Sequence, residues 1–181
     1  MSTGALPEIS TRRATSADAA LFAELGASTF TETFAAQNDD ADFAAYMADA
    51  FGEAIQRAEL EDPDVTVILA ERGGEAVGYV LLREGPAPSI VRGFDVLQVV
   101  RLYARQSAIG TGVGAVLMQR SIHEAAARGK EALWLGVWDQ NVRAIEFYRR
   151  HEFFEAGTQP FLLGTDLQND LVMVRRIARE S

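Results

Sequence analysis

The sequence predicts an α/β protein of one domain, built on a mixed β-sheet. Three observations carry that expectation. A strong hairpin signal lies in the first half, "VTVILAERGGEAVGYVLLRE". A strand, "FDVLQVVRLYAR", then leads through a glycine-rich turn into a helix. Two closing strands flank a polar loop, in "FFEAGTQPFLL" and "DLVMVRRI". No repeat, low-complexity segment or linker divides the 181 residues, so residues 1–181 read as a single domain.

Taken in order, the chain opens with a short strand, Ile9 to Arg13. Ser16 stands as the N-cap of a first helix whose apolar positions include Ala20, Leu21 and Leu25. A second helix is expected from Asp40 to about Leu60, with Phe43, Tyr46, Met47, Ala50 and Phe51 on one face and Pro63 beyond its end. Gly73 and Gly74 join the two hairpin strands. "GPAPS" is a surface loop before the long strand. Gly112 to about Arg128 reads as a helix with a polar stripe of Gln119, Arg120, His123, Glu124 and Arg128. "EALWLGVW" is a strand, and Asn141 caps a further short helix.

Composition narrows the function. The chain has no cysteine, which removes disulfides, thiolate metal sites and a cysteine nucleophile, and no metal site is expected. The start, "MSTGALPEIS", has no basic region followed by an apolar run, so it does not read as a signal peptide. No apolar run approaches bilayer length, and a cytoplasmic protein is expected. A net charge of −9 argues against nucleic acid as a partner. The same charge suits a cationic small substrate by long-range attraction, although it also serves plain solubility.

In "SAIGTGVGAVLMQ", Gly110, Gly112 and Gly114 stand between a strand and the first turn of a helix. Helix N-termini present unpaired N–H groups, and glycines clear the side chains that keep a phosphate oxygen away. A pyrophosphate is the natural guest; a flexible turn at a close helix–strand crossing is the alternative. The dinucleotide fingerprint is G-x-G-x-x-G at a strand end, whereas here the spacing is G-x-G-x-G and Arg105 to Ile109 intervene. No Lys–Ser/Thr pair follows, so the Walker pattern fails too. Downstream, in "WDQNVRAIEFYRRHEFF", Asn141 and Tyr148 lie two helical turns apart and share a face about 10 Å long. A long thin ligand could meet both; an N-cap and a core-edge tyrosine are the structural alternatives.

Together, "LYARQSAIGTGVGAVLMQ" and "ALWLGVWDQNVRAIEFYRR" resemble the acetyl-CoA-binding core of the GCN5-related N-acetyltransferases. "STFTETFAAQND", "FAAYMADAFG", "EAVGYVLL", "WLGVWDQN" and "GTQPFLLGTDLQNDLVM" are similar to the PaiA-type branch, which acetylates spermidine and spermine. The resemblance implies a mostly antiparallel sheet with splayed central strands and helices on both faces. It implies acetyl-CoA as cosubstrate, a primary amine as acceptor, and dimers as a common assembly. Gly110, Thr111, Gly112, Val113 and Gly114 would then cradle the pyrophosphate. Leu102, Tyr103 and Ala104 would give backbone partners to the pantetheine arm, Asn141 would contact the cofactor, and Tyr148 would protonate the leaving thiolate.

Four positions depart from the pattern. Ile109 stands where the family has Gln or Arg, and Glu152 where it has Gly. Gln98 and Val100 occupy places that are often acidic, which leaves the general base unassigned. Glu32 and Glu53 are the candidates for holding a cationic substrate or relaying its proton, with solvated helix carboxylates as the plain alternative. His123 and His151 read as surface histidines, and Trp134 and Trp138 as core or dimer contacts. A protein that senses CoA without catalysis remains an alternative, as does transfer to a protein N-terminus or an antibiotic amine.

Overall fold

A computed structural model describes residues 8–37 and 40–178. Residues 1–7, read above for targeting signals, and Asn38 and Asp39 of the "TETFAAQND" motif lie outside the described residues. The elements run β1 (Ile9–Arg13), α1 (Ala19–Phe34), α2 (Asp40–Ala50), α3 (Glu53–Glu61), β2 (Val65–Arg72), β3 (Glu75–Arg83), β4 (Val96–Ala104), α4 (Val113–Ala127), β5 (Ala132–Trp138), α5 (Val142–Arg150), β6 (Phe154–Leu163) and β7 (Asp166–Arg176). The strands form one sheet in the order β1-β2-β3-β4-β5-β7-β6, in which only the β4–β5 pair is parallel.

Helices cover both faces because the inner strands are apolar on both sides. Ile68, Ala70, Val80 and Leu82 pack toward Leu117 and Met118 of α4. Their neighbours Val67, Leu69, Tyr79 and Leu81 pack with Phe22 and Leu25 of α1. A third apolar group, built on Phe30 and Phe51, joins α1 and α2 to Leu163 at the end of β6. Gly73 and Gly74 turn the β2–β3 hairpin with φ of 61° and 84°, the geometry that a tight two-residue turn requires.

Two expectations change. The helix expected from Asp40 to about Leu60 is two helices: Phe51 is buried, and Gly52, in extended conformation, restarts the chain as the N-cap of α3. The Gln56 side chain donates to the Ala50 carbonyl at 2.9 Å, which fills the break that a continuous helix would not have. Ser16 is not the cap of the first helix: Thr15 caps a 3-10 turn at Ser16–Asp18, and Asp18 is the N-cap of α1. The Asp18 carboxylate accepts from the Thr15 backbone N–H at 2.8 Å, and a single 3-10 turn precedes α1.

The central strands separate. β4 pairs with β5 only through Val96, Leu97 and Gln98, while β5 continues along β7 as far as Trp138. A bulge at Val100, opposite the Leu81–Leu82 step of β3, bends β4 away from β5. The far half of β4 therefore has a strand on one side and a gap on the other.

Candidate active site

The gap opens into a cavity of about 670 Å³. Its walls include Leu102, Tyr103 and Ala104 of β4, Gly110, Gly112 and Gly114 of the turn, and Asn141 and Tyr148 of α5. Three segments far apart in sequence thus converge on one space. The β4 backbone faces it for a definite reason. Arg105 N–H bonds to the Val77 carbonyl at 2.8 Å, so by the antiparallel alternation the N–H and C=O groups of Leu102 and Ala104 point away from β3, into the gap. Tyr103 differs from its neighbours: its backbone serves β3, and only its side chain lines the cavity.

The glycine turn meets the cavity at the start of α4. Gly112 is the N-cap with φ of 95°, and no side chain caps the helix. The first intrahelical bond runs from Val116 N–H to the Gly112 carbonyl, at 3.0 Å, so the N–H groups of Val113, Gly114 and Ala115 have no acceptor within the helix. A Cβ on Gly114 would stand 3.2 Å from the Phe147 ring, so a side chain there would press on α5. Arg72 donates to the Thr111 carbonyl at 3.1 Å and pins the turn to β2. Thr111 and Val113 are not cavity walls: the Val113 side chain lies in the core and leaves only its backbone N–H toward the turn, whereas the Thr111 N–H and hydroxyl both donate to the Ala108 carbonyl and its own carbonyl accepts from Arg72.

At the start of α5, the Asn141 side-chain Oδ1 accepts from Ala144 N–H at 3.2 Å, so the residue is both helix cap and cavity wall. Tyr148 is buried among Phe147 and Phe153, with ring centroids at 5.3 and 5.6 Å. Burial holds its phenol protonated well above the ordinary tyrosine range. Arg101 of β4 and Arg143 and Arg150 of α5 also line the cavity.

The two glutamates expected to meet a substrate separate. Glu32 lines a smaller recess of about 310 Å³ beside the main cavity, with Asn141 and Arg143, and accepts from Gln106 N–H at 2.7 Å. Glu53 is in neither space; it sits in the first turn of α3, paired with Arg57 at 2.8 Å on the exposed face. His151 bonds to the Phe147 carbonyl through Nδ1 at 2.9 Å, and His123 is exposed. Trp134 is in the core, whereas Trp138 is a cavity wall. Asp170, which the sequence did not single out, lines the same cavity from β7. Its only sequence signal was an acidic residue inside an apolar run, "NDLVM".

A sheet split at its centre, with a glycine-cleared helix N-terminus at the mouth of the split, leaves a long space between two strands with unpaired N–H donors at one end. Residues 24–153 match the model of the acetyltransferase (GNAT) family, and the chain belongs to that family. It is 37% identical over 119 residues to an uncharacterised N-acetyltransferase of Mycobacterium tuberculosis, covering 65% of this chain and 71% of that protein. An uncharacterised N-acetyltransferase of Lactobacillus delbrueckii subsp. lactis is 27% identical over 156 residues, covering 86% and 90%. Among solved structures, the PaiA N-acetyltransferase from Thermoplasma acidophilum, in complex with coenzyme A, superposes with a TM-score of 0.73 at 16% identity, over 93% of this chain and 99% of that one. An acetyltransferase from Salmonella typhimurium with acetyl-CoA gives 0.72 at 20% identity, over 96% of each. These similarities show the fold, and membership of the family makes the chain an N-acetyltransferase.

Proposed function

We propose that the chain, acting as one domain, transfers the acetyl group of acetyl-CoA to a primary amine, with polyamines such as spermidine and spermine as the acceptor class. One observation carries the reading: the gap between β4 and β5 leads from the uncapped start of α4 to the buried Tyr148 within one cavity. The residues fit the cosubstrate. The free N–H groups of Val113, Gly114 and Ala115 suit a pyrophosphate, and Arg143 and Arg150 add positive charge along the cavity. Leu102 and Ala104 offer backbone groups to an amide-bearing arm, in the manner of an added strand. Acetyl-CoA, when bound, supplies the activated acetyl thioester.

Tyr148 then holds a proton that it can give to the departing sulfur. The similar structures whose titles name coenzyme A and acetyl-CoA support the cosubstrate, and the net charge of −9 supports a cationic acceptor. A cytoplasmic homodimer completes the reading by family analogy. A CoA-sensing protein is the second reading, favoured by Gln98 and Val100, which place no acid on the β4 wall of the cavity.

The deciding assay follows thiol release from acetyl-CoA with spermidine, spermine, an aminoglycoside and short peptides. Release with the polyamines is expected; release with no acceptor, while acetyl-CoA still raises Tm, would support the sensor instead. In the same assay Gly112→Ala is expected to raise the KM for acetyl-CoA about tenfold, or about 1.4 kcal/mol. A Cβ at a φ of 95° strains the turn and displaces the N–H groups that face the phosphates. An unchanged KM would remove the turn from the phosphate site.

A further inference from the structure

The cavity contains a carboxylate with no assigned role. Asp170 on β7 has 8% of its surface exposed and lines the cavity. Among the described residues no hydrogen bond or ion pair reaches its side chain. Burying a carboxylate without a cation is costly, and such groups persist where a ligand supplies the missing charge. Gly136, across the ladder on β5, keeps the space open. A Cβ there would stand 2.8 Å from Gln159 Nε2 and 3.0 Å from Asp170 Oδ2. Tyr46 and Phe161, with ring centroids 6.0 Å apart, line the same space and offer apolar faces to a methylene chain.

We propose that Asp170 receives the ammonium group of the acceptor and takes one of its protons before acyl transfer. The inference rests on the acetyltransferase reading and supplies the base that Gln98 and Val100 cannot. In the step, an N–H bond of the ammonium breaks and an O–H bond forms on Asp170. The ion pair becomes a neutral amine, whose lone pair is free to attack, and a neutral acid. The overall transfer releases one proton to water, and Asp170 is the group that passes it on.

The charges around Asp170 favour this use. Asp139, at the end of β5, adds a second negative charge. The Tyr46 phenol of α2 is neutral, and its own titration is raised by burial and, more weakly, by Asp170. Arg101 of β4 also lines the cavity, but its guanidinium is committed to Glu59 of α3, with both bonds at 3.0 Å. β6 contributes the uncharged Gln159. Burial and then Asp139 push the Asp170 carboxyl up to about 6. It is therefore ionised at neutral pH yet more basic than an ordinary aspartate.

The test compares wild type with Asp170→Asn, using spermidine. With the ammonium form as the bound species, wild-type kcat/KM for the amine rises tenfold per pH unit to about pH 6 and is level from there to about pH 9. Asp170→Asn lowers kcat/KM about 100-fold at pH 7 and loses that limb, while the KM for acetyl-CoA is unchanged. Gly136→Ala, which pushes Gln159 and Asp170 aside, raises the KM for spermidine about tenfold. Without any acetyl-CoA, spermidine changes the fluorescence of Trp138 in wild type, and the variant needs about tenfold more.

A wild-type kcat/KM that climbs without levelling toward the amine pKa, with Asp170→Asn matching it, overturns the assignment and leaves the acetyltransferase intact. Absence of thiol release with every amine overturns the acetyltransferase. In that case the fluorescence titration alone decides Asp170: equal titrations of wild type and variant, or none in wild type, reject it.

Discussion

Tyr148→Phe is expected to lower kcat about 100-fold at pH 7, with the KM for acetyl-CoA within about twofold of wild type. The residue packs through its ring, against Phe147 and Phe153, and phenylalanine keeps those contacts. Only the hydroxyl is lost, and it is a hydroxyl that burial keeps protonated across the working range. A group permanently in its acid form can donate at any pH, so its titration does not shape the profile. The leaving group shapes it instead. A thiolate with a pKa of about 8.5 needs the proton when the pH is below that value and departs unaided above it. The deficit of Tyr148→Phe should therefore be largest near pH 6 and shrink several-fold toward pH 9. Steady-state kinetics at three pH values checks this. A deficit that is absent, or the same at every pH, would assign Tyr148 to packing.

Much of this architecture is legible in the residues. β1 occupies Ile9–Arg13 as the sequence predicts, the Gly73–Gly74 hairpin is formed, and the helix after Gly112 ends within one residue of expectation. Those elements follow from local signals: turn glycines, an uncapped helix start, alternating apolar strands. The break between α2 and α3 was not legible, because it depends on Phe51 finding a tertiary pocket against Phe30 rather than on propensity. The site divides in the same way. Gly112, Asn141 and Tyr148 sit in short motifs with fixed spacing, and the structure brings them to one cavity. Asp170 sits in no motif. Its significance depends on the separation of β4 from β5 and on a bare Gly136 diagonally across on β5, and both are pairings between distant segments. Glu53 shows the converse. It is acidic and near the expected substrate end in sequence, yet the start of α3 turns it to solvent, where Arg57 satisfies it. Glu152 is legible only afterwards: its φ of 64° explains a glycine preference at that position, and its carboxylate compensates by binding Arg175 at 2.6 Å.

Glu59→Ala is expected to reduce folding stability by about 3 kcal/mol, the largest loss we anticipate from a residue that touches no substrate. Glu59 and Arg101 are mostly buried, with side-chain exposures of 14% and 15%, and their two bonds at 3.0 Å form a bidentate pair. Arg83, at 3.8 Å from Glu59 and more exposed, is a second and weaker cation on the same carboxylate. Removing the carboxylate leaves the Arg101 guanidinium over the Phe51 ring at 5.4 Å, charged and without its acceptor. Removing both charges should cost less than removing one, so Glu59→Ala with Arg101→Met is expected to recover at least about 1 kcal/mol of the loss. Urea denaturation of the two variants measures this directly. The pair also bears on catalysis, because Arg101 shares the cavity with Asp170. An Arg101 freed by Glu59→Ala offers Asp170 a resident cation in place of the incoming ammonium. The KM for the amine should then rise in Glu59→Ala and return toward wild type in the double variant. A stability loss with no change in that KM would mean that Arg101 stays where Glu59 held it, and that the acceptor pocket is insulated from the ion pair behind it.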